Sequence, residues 1–246
     1  MLINIFIFAL GAIFGSFCNC FISRKIKNQS IIYPPSHCDF CNHGLKIWEK
    51  IPIISFLLLK GRCNYCKKKI PIDNFIMELT CGILGLLFFD ANNLSRSILL
   101  IFALYLSLVI AIIDLKSYDI YLNQVGILAL IGLLYRFLYL KFDLDFILIN
   151  LAFSAIYFVI YKIFDKSLGN GDIYFYLALF LFIENIEIIY FILYSIWLGA
   201  ISGIIIGIKN KNMKIKIPFC IYIFLAFLIV MVKLRIFSWK RRVLLY

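Results

Sequence analysis

Charge is scarce in this sequence. Of its 246 residues, 15% are Asp, Glu, Lys or Arg against 64% hydrophobic, and the mean hydropathy is +0.98. A soluble domain of this size would leave much of that apolar surface in water, so the shortage of charge excludes one. Acidic residues are the scarcer kind, 13 against 25 basic, for a formal net charge of +12. In so apolar a chain the surplus reads as Lys and Arg gathered on the cytoplasmic side of a membrane, and no nucleic-acid partner is expected. The opening stretch MLINIFIFALGAIFGSFCNCFI lacks the positive start of a secretory signal, and Arg24, Lys25 and Lys27 come after it. That order predicts an uncleaved span with its N-terminus outside. No internal repeat and no low-complexity linker is evident.

Apolar runs long enough to span fall near 1–22, 74–89, 97–113, 121–140, 146–164, 188–208 and 217–236. A shorter run, 173–183, needs tilt or burial in a bundle to serve as an eighth. The polar segment 23–73 holds ten Lys or Arg against Asp39, Glu49 and Asp73, which marks it as a cytoplasmic loop. Counting crossings from it puts DLKSYD (114–119), DKSLGNGD (165–172) and KNKNMKIK (209–216) on the same side. With eight spans the basic tail KLRIFSWKRRVLLY falls outside; without the short one, KNKNMKIK does.

Four of the eight cysteines form C-x2-C-x21-C-x2-C: Cys38, Cys41, Cys63 and Cys66. Two such turns can converge four thiolates on one tetrahedral ion, with no open position for chemistry. A structural zinc would also help a charge-rich loop with little core of its own to fold. Reduced thiols without metal, or a redox pair, are the alternatives. His37 and His43 are left outside the ligand set, and Cys18, Cys20, Cys81 and Cys220, all in apolar runs, are expected to act as small hydrophobes. The fold class expected is an all-α polytopic membrane protein of about eight transmembrane helices with a zinc-binding loop between the first two. Its segments are a first helix at 1–22, a cytoplasmic zinc-binding loop domain at 23–73 and a transmembrane core at 74–246.

Ionisable groups at a membrane boundary are costly and mark candidate sites. Asp114 ends one apolar run and Asp172 begins another, and the crossing count places both at the cytoplasmic face. Two facing carboxyl groups can share a proton, one activating water while the other polarises a carbonyl. The plainer alternative makes Asp172 an N-cap and Asp114 an interfacial residue. Gly169 and Gly171 before Asp172 offer unusual dihedrals or close approach of a second segment. Asp119, Asp165, Glu184 and Glu187 are expected in solvated turns, and Glu78 as a buried hydrogen-bonding group.

Taken in order, GSFCNCFISR (Gly15 to Arg24), PPSHCDFC, WEKIPIISFLLLKGRCNYC, MELTCG, IDLKS and GNGD resemble the type IV prepilin peptidase family, membrane aspartic proteases with a GxGD motif. The resemblance implies catalytic aspartates at Asp114 and Asp172, a zinc-binding loop, and a place in the bacterial inner membrane with the site at its cytoplasmic face. It implies cleavage of the leader of type IV prepilins or type II secretion pseudopilins, and in many members methylation of the new N-terminus by S-adenosylmethionine. The basic loop residues are then assigned to anionic membrane lipid. The sequence departs from the family at Tyr121, where a Pro is usual, at Tyr174, where a Lys is usual, and at Lys50, where an Asn is usual. A proton- or cation-coupled transporter with a zinc ribbon is the competing reading, and a non-catalytic scaffold is a third.

Overall fold

Lipid offers the backbone no hydrogen-bond partner, so a spanning apolar run must close its own bonds as a helix. The computed structural model describes residues 2–30, 32–33, 35–163, 169–211 and 217–244. Its helices are α1 (Leu2–Ile26), α2 (Ile54–Leu58), α3 (Ile72–Phe88), α4 (Leu94–Ser117), α5 (Leu122–Tyr139), α6 (Leu144–Ile163), α7 (Asn170–Phe180), α8 (Asn185–Lys209) and α9 (Cys220–Leu244). Among the described residues there is no strand, only two isolated bridges. Each of the eight apolar runs is helical over most of its described residues. Five of the helical segments are long and apolar enough to cross a membrane: Leu2–Ile26, Ala91–Ser117, Leu122–Tyr139, Leu144–Ile163 and Asn185–Lys209. The first helix runs past residue 22 to Ile26, and within that extension Arg24 is buried and donates to the Ser30 carbonyl at 3.0 Å. Asp165 and most of KNKNMKIK lie outside the described residues.

The chain divides into two compact units, Met1–Ile101 and Phe102–Tyr246. In the first, α1 and α3 run antiparallel in close contact. A Cβ on Gly15 would lie 2.6 Å from the Met77 carbonyl oxygen and 2.9 Å from the Glu78 Cα, so backbone meets backbone there. Small residues permit such an approach, which suits helix pairing in lipid. Asn19 and Asn74 hydrogen-bond across the same seam. Glu78, buried as expected, accepts the Ile53 N–H at 2.6 Å and so ties the polar loop to α3. Ile53 needs that tie: its φ of 64° is unfavourable for a β-branched residue.

In the second unit α7 is a short and largely buried element. Eleven residues rise only about 16 Å, roughly half the hydrocarbon thickness. Phe175, Tyr176, Ala178, Leu179 and Phe180 are all buried, in an aromatic cluster with Phe153 of α6 and Phe191 of α8. The Tyr176 hydroxyl pairs with the Ser195 hydroxyl at 2.5 Å. Arg136 of α5, 1% exposed, closes the far end of α7. Its guanidinium donates to the carbonyls of Phe180 (3.3 Å), Ile183 (3.0 Å) and Lys141 (3.0 Å) and to the Asn185 side chain (2.8 Å). Asn185 in turn donates to both oxygens of Asp143, at 2.8 and 2.9 Å. Glu187, expected in water, instead pairs with Lys233 of α9 at 2.9 Å.

Arg136→Met should destabilise the protein by about 3 kcal/mol or more, since it leaves buried carbonyls unpaired. The melting temperature of the purified protein in detergent reads this. The Asn185 amide and the Phe146 N–H hold the Asp143 carboxyl below its usual range. Its contribution is therefore complete above the unfolded value near about 3.9 and is lost as pH falls through the lower folded value. Melting measured from neutral to acid pH should drop more steeply for the native chain than for Asp143→Asn.

Candidate functional site

Two clusters of reactive side chains stand out, one in each unit. In the first unit the Sγ atoms of Cys38, Cys41, Cys63 and Cys66 all lie within 4.8 Å of one another, and Cys38 Sγ is 3.8 Å from Cys66 Sγ. Four sulfurs about 2.3 Å from a common tetrahedral centre are about 3.8 Å apart, so the quartet fits a metal ion.

The two turns that present the thiols are built alike. The Cys38 N–H donates to the His43 carbonyl and the Asn42 N–H to the Cys38 carbonyl. The Cys63 N–H likewise donates to the Lys68 carbonyl and the Lys67 N–H to the Cys63 carbonyl. Each turn is closed by a bridge, His37 with Gly44 and Arg62 with Lys69, and each second cysteine is followed by a left-handed residue, Asn42 or Lys67. The same unit thus recurs 25 residues apart, a local repeat that residue identity does not reveal because little beyond the cysteines matches. His43 of one turn stacks on Tyr65 of the other at 3.5 Å, and His37 Nδ1 lies 2.9 Å from the Pro35 carbonyl. Neither histidine joins the quartet.

The environment of the sulfurs is uneven. The backbone N–H groups of Cys66 and Tyr65 hold the Cys63 thiol down at about 7. The His43 N–H favours the Cys41 thiolate, yet desolvation and the three neighbouring thiols push Cys41 up to about 11. Four crowded sulfurs resist carrying four charges, and a bound cation removes that resistance.

In the second unit Asp114 sits in the last turn of α4 and Asp172 in the first turn of α7, each 6% exposed. Both reach the first residue of α9. The Cys220 N–H donates to Asp114 Oδ2 at 3.0 Å, and the Cys220 S–H to Asp172 Oδ1 at 3.4 Å. The Phe219 N–H also faces the Asp114 carboxyl group. Helix starts leave backbone N–H groups without partners, and here Asp114 takes them up. Cys220 is therefore more than the apolar filler its sequence context suggested. The available signal was its place just after Pro218, where a helix is expected to begin.

The two glycines act through space rather than through dihedrals. Gly169 has an ordinary φ of −70°, and among the described residues Gly61 is the glycine with positive φ. A Cβ on Gly169 would lie 2.8 Å from Asp172 Oδ2, and one on Gly171 would lie 2.6 Å from the Ile120 side chain beyond α4. Gly169 is the N-cap of α7, and its backbone N–H faces the Asp172 carboxyl group, so Asp172 also helps close its own helix. The Tyr157 hydroxyl fixes the Gly169 carbonyl at 2.8 Å. Tyr174 is 51% exposed, Tyr121 is the N-cap of α5, and Asp119 is exposed as expected. The buried carboxyl groups of this unit gather at one helix start instead of spreading through membrane depth, which leaves the ion-carrier reading without support.

Fold and clusters together define a multi-helix membrane protein with a cysteine quartet, of a geometry that fits a metal ion, in the loop after its first helix. Residues 9–91 match the family described as Bacterial Peptidase A24 N-terminal domain. The chain is 33% identical over 218 residues to the prepilin leader peptidase/N-methyltransferase of Myxococcus xanthus, a match covering 83% of this chain and 63% of that relative. It is 29% identical over 117 residues to the Vibrio cholerae protein of the same name, covering 44% of this chain and 46% of the relative. Over 56 residues it is 41% identical to the one from Stutzerimonas stutzeri, covering 23% and 19%. No solved structure matches. The chain is thus similar to prepilin leader peptidases along most of its length, with residues 9–91 matching the N-terminal domain of that peptidase family, and it spans somewhat under two thirds of the length of its Myxococcus relative.

The purified protein should carry metal stoichiometrically with chain. Cys38→Ser with Cys63→Ser should bring the content to background, as read by elemental mass spectrometry.

Proposed function

We propose that the protein is a prepilin peptidase of the inner membrane, removing the N-terminal leader of type IV prepilins or pseudopilins by two-aspartate hydrolysis at the cytoplasmic face. The observation that carries this reading is the approach of Asp114 and Asp172 to one residue, Cys220, in a chain whose relatives are named prepilin leader peptidases. Gly169 and Gly171 line the approach to the pair.

Two carboxyl groups around one donor residue hold a shared proton. The ionised one takes a proton from water while its oxygen attacks the scissile carbonyl carbon. The protonated one hydrogen-bonds the carbonyl oxygen as negative charge develops there. The tetrahedral species then collapses, the C–N bond breaks, and the departing nitrogen takes up a proton. The products are a leader ending in a carboxylate and a pilin with a free amine. A leader is soluble and the pilin helix apolar, so a scissile bond at the membrane boundary suits both.

Cys220 sets the geometry of the pair without reacting. Its backbone N–H steadies Asp114 and its thiol steadies Asp172, and the thiol is the weaker, adjustable donor. The cysteine quartet holds zinc in a structural role, since four thiolates leave no open coordination position. The relatives' printed names also include N-methyltransferase, with S-adenosylmethionine as the expected methyl donor.

Asp114→Asn and Asp172→Asn should each lower leader removal at least about a hundredfold while the protein still inserts. The assay is co-expression with a candidate prepilin, followed by mass measurement of the product. Cleavage at the native rate in either variant would sink the proposal, and the mass of the mature N-terminus reads methylation in the same sample. Cys220→Ala should lower kcat on the order of tenfold at unchanged KM, and Cys220→Ser should recover most of it.

A further inference from the structure

Residues 23–73 look like a polar loop, yet one short piece of it packs back beside α3. Depth along α1 gives the measure. The apolar run of α1 ends at residue 22, and Gly15, seven residues back, is about 10 Å inside that end. Glu78 packs at the level of Gly15 and accepts the Ile53 N–H, while Phe56 stacks on Phe75 of α3 with ring centroids 5.0 Å apart. Phe75 adjoins Asn74, which pairs with Asn19 only three residues inside the apolar end. The segment Ile53–Phe56 is thereby fixed beside the first two turns of α3, below the level at which α1 leaves its apolar stretch.

From that position α2 presents Ile54, Leu57 and Leu58, spaced i, i+3, i+4 on one helix face and 54%, 60% and 69% exposed. Phe56 is the residue turned toward α3. The helix is flanked by Lys50 on one side and by Lys60 and Arg62 on the other, all exposed. An apolar face between cationic side chains, held by its partners about 5 to 10 Å inside the apolar boundary, matches the chemistry of an interfacial lipid anchor.

We propose that α2 lies in the bilayer interface, with Ile54, Leu57 and Leu58 among the acyl chains and Lys50, Lys60 and Arg62 at anionic headgroups. The loop is then held to the membrane at a third place, besides the ends of α1 and α3. This assignment stands apart from the peptidase reading, because its test reads lipid contact and not cleavage.

The experiment uses the full chain with its three tryptophans replaced by phenylalanine. A single tryptophan is then introduced as Leu57→Trp, Leu58→Trp or, on the exposed surface of the second cysteine turn, Lys69→Trp. Each variant is reconstituted in phosphatidylglycerol and phosphatidylethanolamine vesicles with and without bromine on the acyl chains. Quenching at positions 57 and 58 should exceed that at 69 at least about twofold, as for a side chain at acyl depth. Equal or weaker quenching at both positions, whether water or a second copy of the chain covers the face, would overturn the assignment.

Discussion

A polar group placed among apolar helices must find its partner within the chain, because lipid supplies none. Nearly every informative feature of this protein follows from that constraint. Asp114 and Asp172 are tolerated because the start of α9 offers unused donors. Glu78 is tolerated because the loop returns an N–H to it. Arg136 is tolerated because the short α7 leaves carbonyls for it to take. Each buried charge is matched to an unfinished piece of backbone, so the polar residues and the ends of helices specify one another.

What the sequence discloses depends on how local the determinant is. The cysteine quartet was legible because two fixed spacings carry it and thiols have few other uses in such a pattern. Seven helical runs were legible from hydropathy as long enough to span, and the eighth, 173–183, as an apolar run too short to do so without tilt or burial. Cys220 was not, since its partners lie 106 and 48 residues away and a cysteine in an apolar run reads as filler. Of the two uses the sequence offered for the glycines before Asp172, their neighbours, the Ile120 side chain and the Asp172 carboxyl group, favour room over dihedral freedom. α2 was hidden by its setting, five helical residues inside a segment whose average is basic and polar.

The two units divide the labour along chemical lines. The first is a helix pair with a cysteine-bearing loop that has little apolar core, tied by backbone bridges and by Glu78. The second is an apolar helical core around α7, where packing of aromatic rings does the holding and a few hydrogen bonds fix direction. Gly15 and Gly171 serve the same end in each, letting one segment close on another without an intervening side chain.

The arginine that closes α7 has a consequence for how the chain is made. Arg136 leaves the ribosome 44 residues before Phe180 and 49 before Asn185, its later partners. While α5 enters the membrane, those acceptors do not yet exist, and the guanidinium near its end must reach toward water to avoid the hydrocarbon. Only when α7 and the start of α8 have been synthesised can it turn inward. The final seating of α5 therefore waits on α7 and the start of α8, which makes assembly of this half of the protein sequential, with the contacts of α9 still to follow.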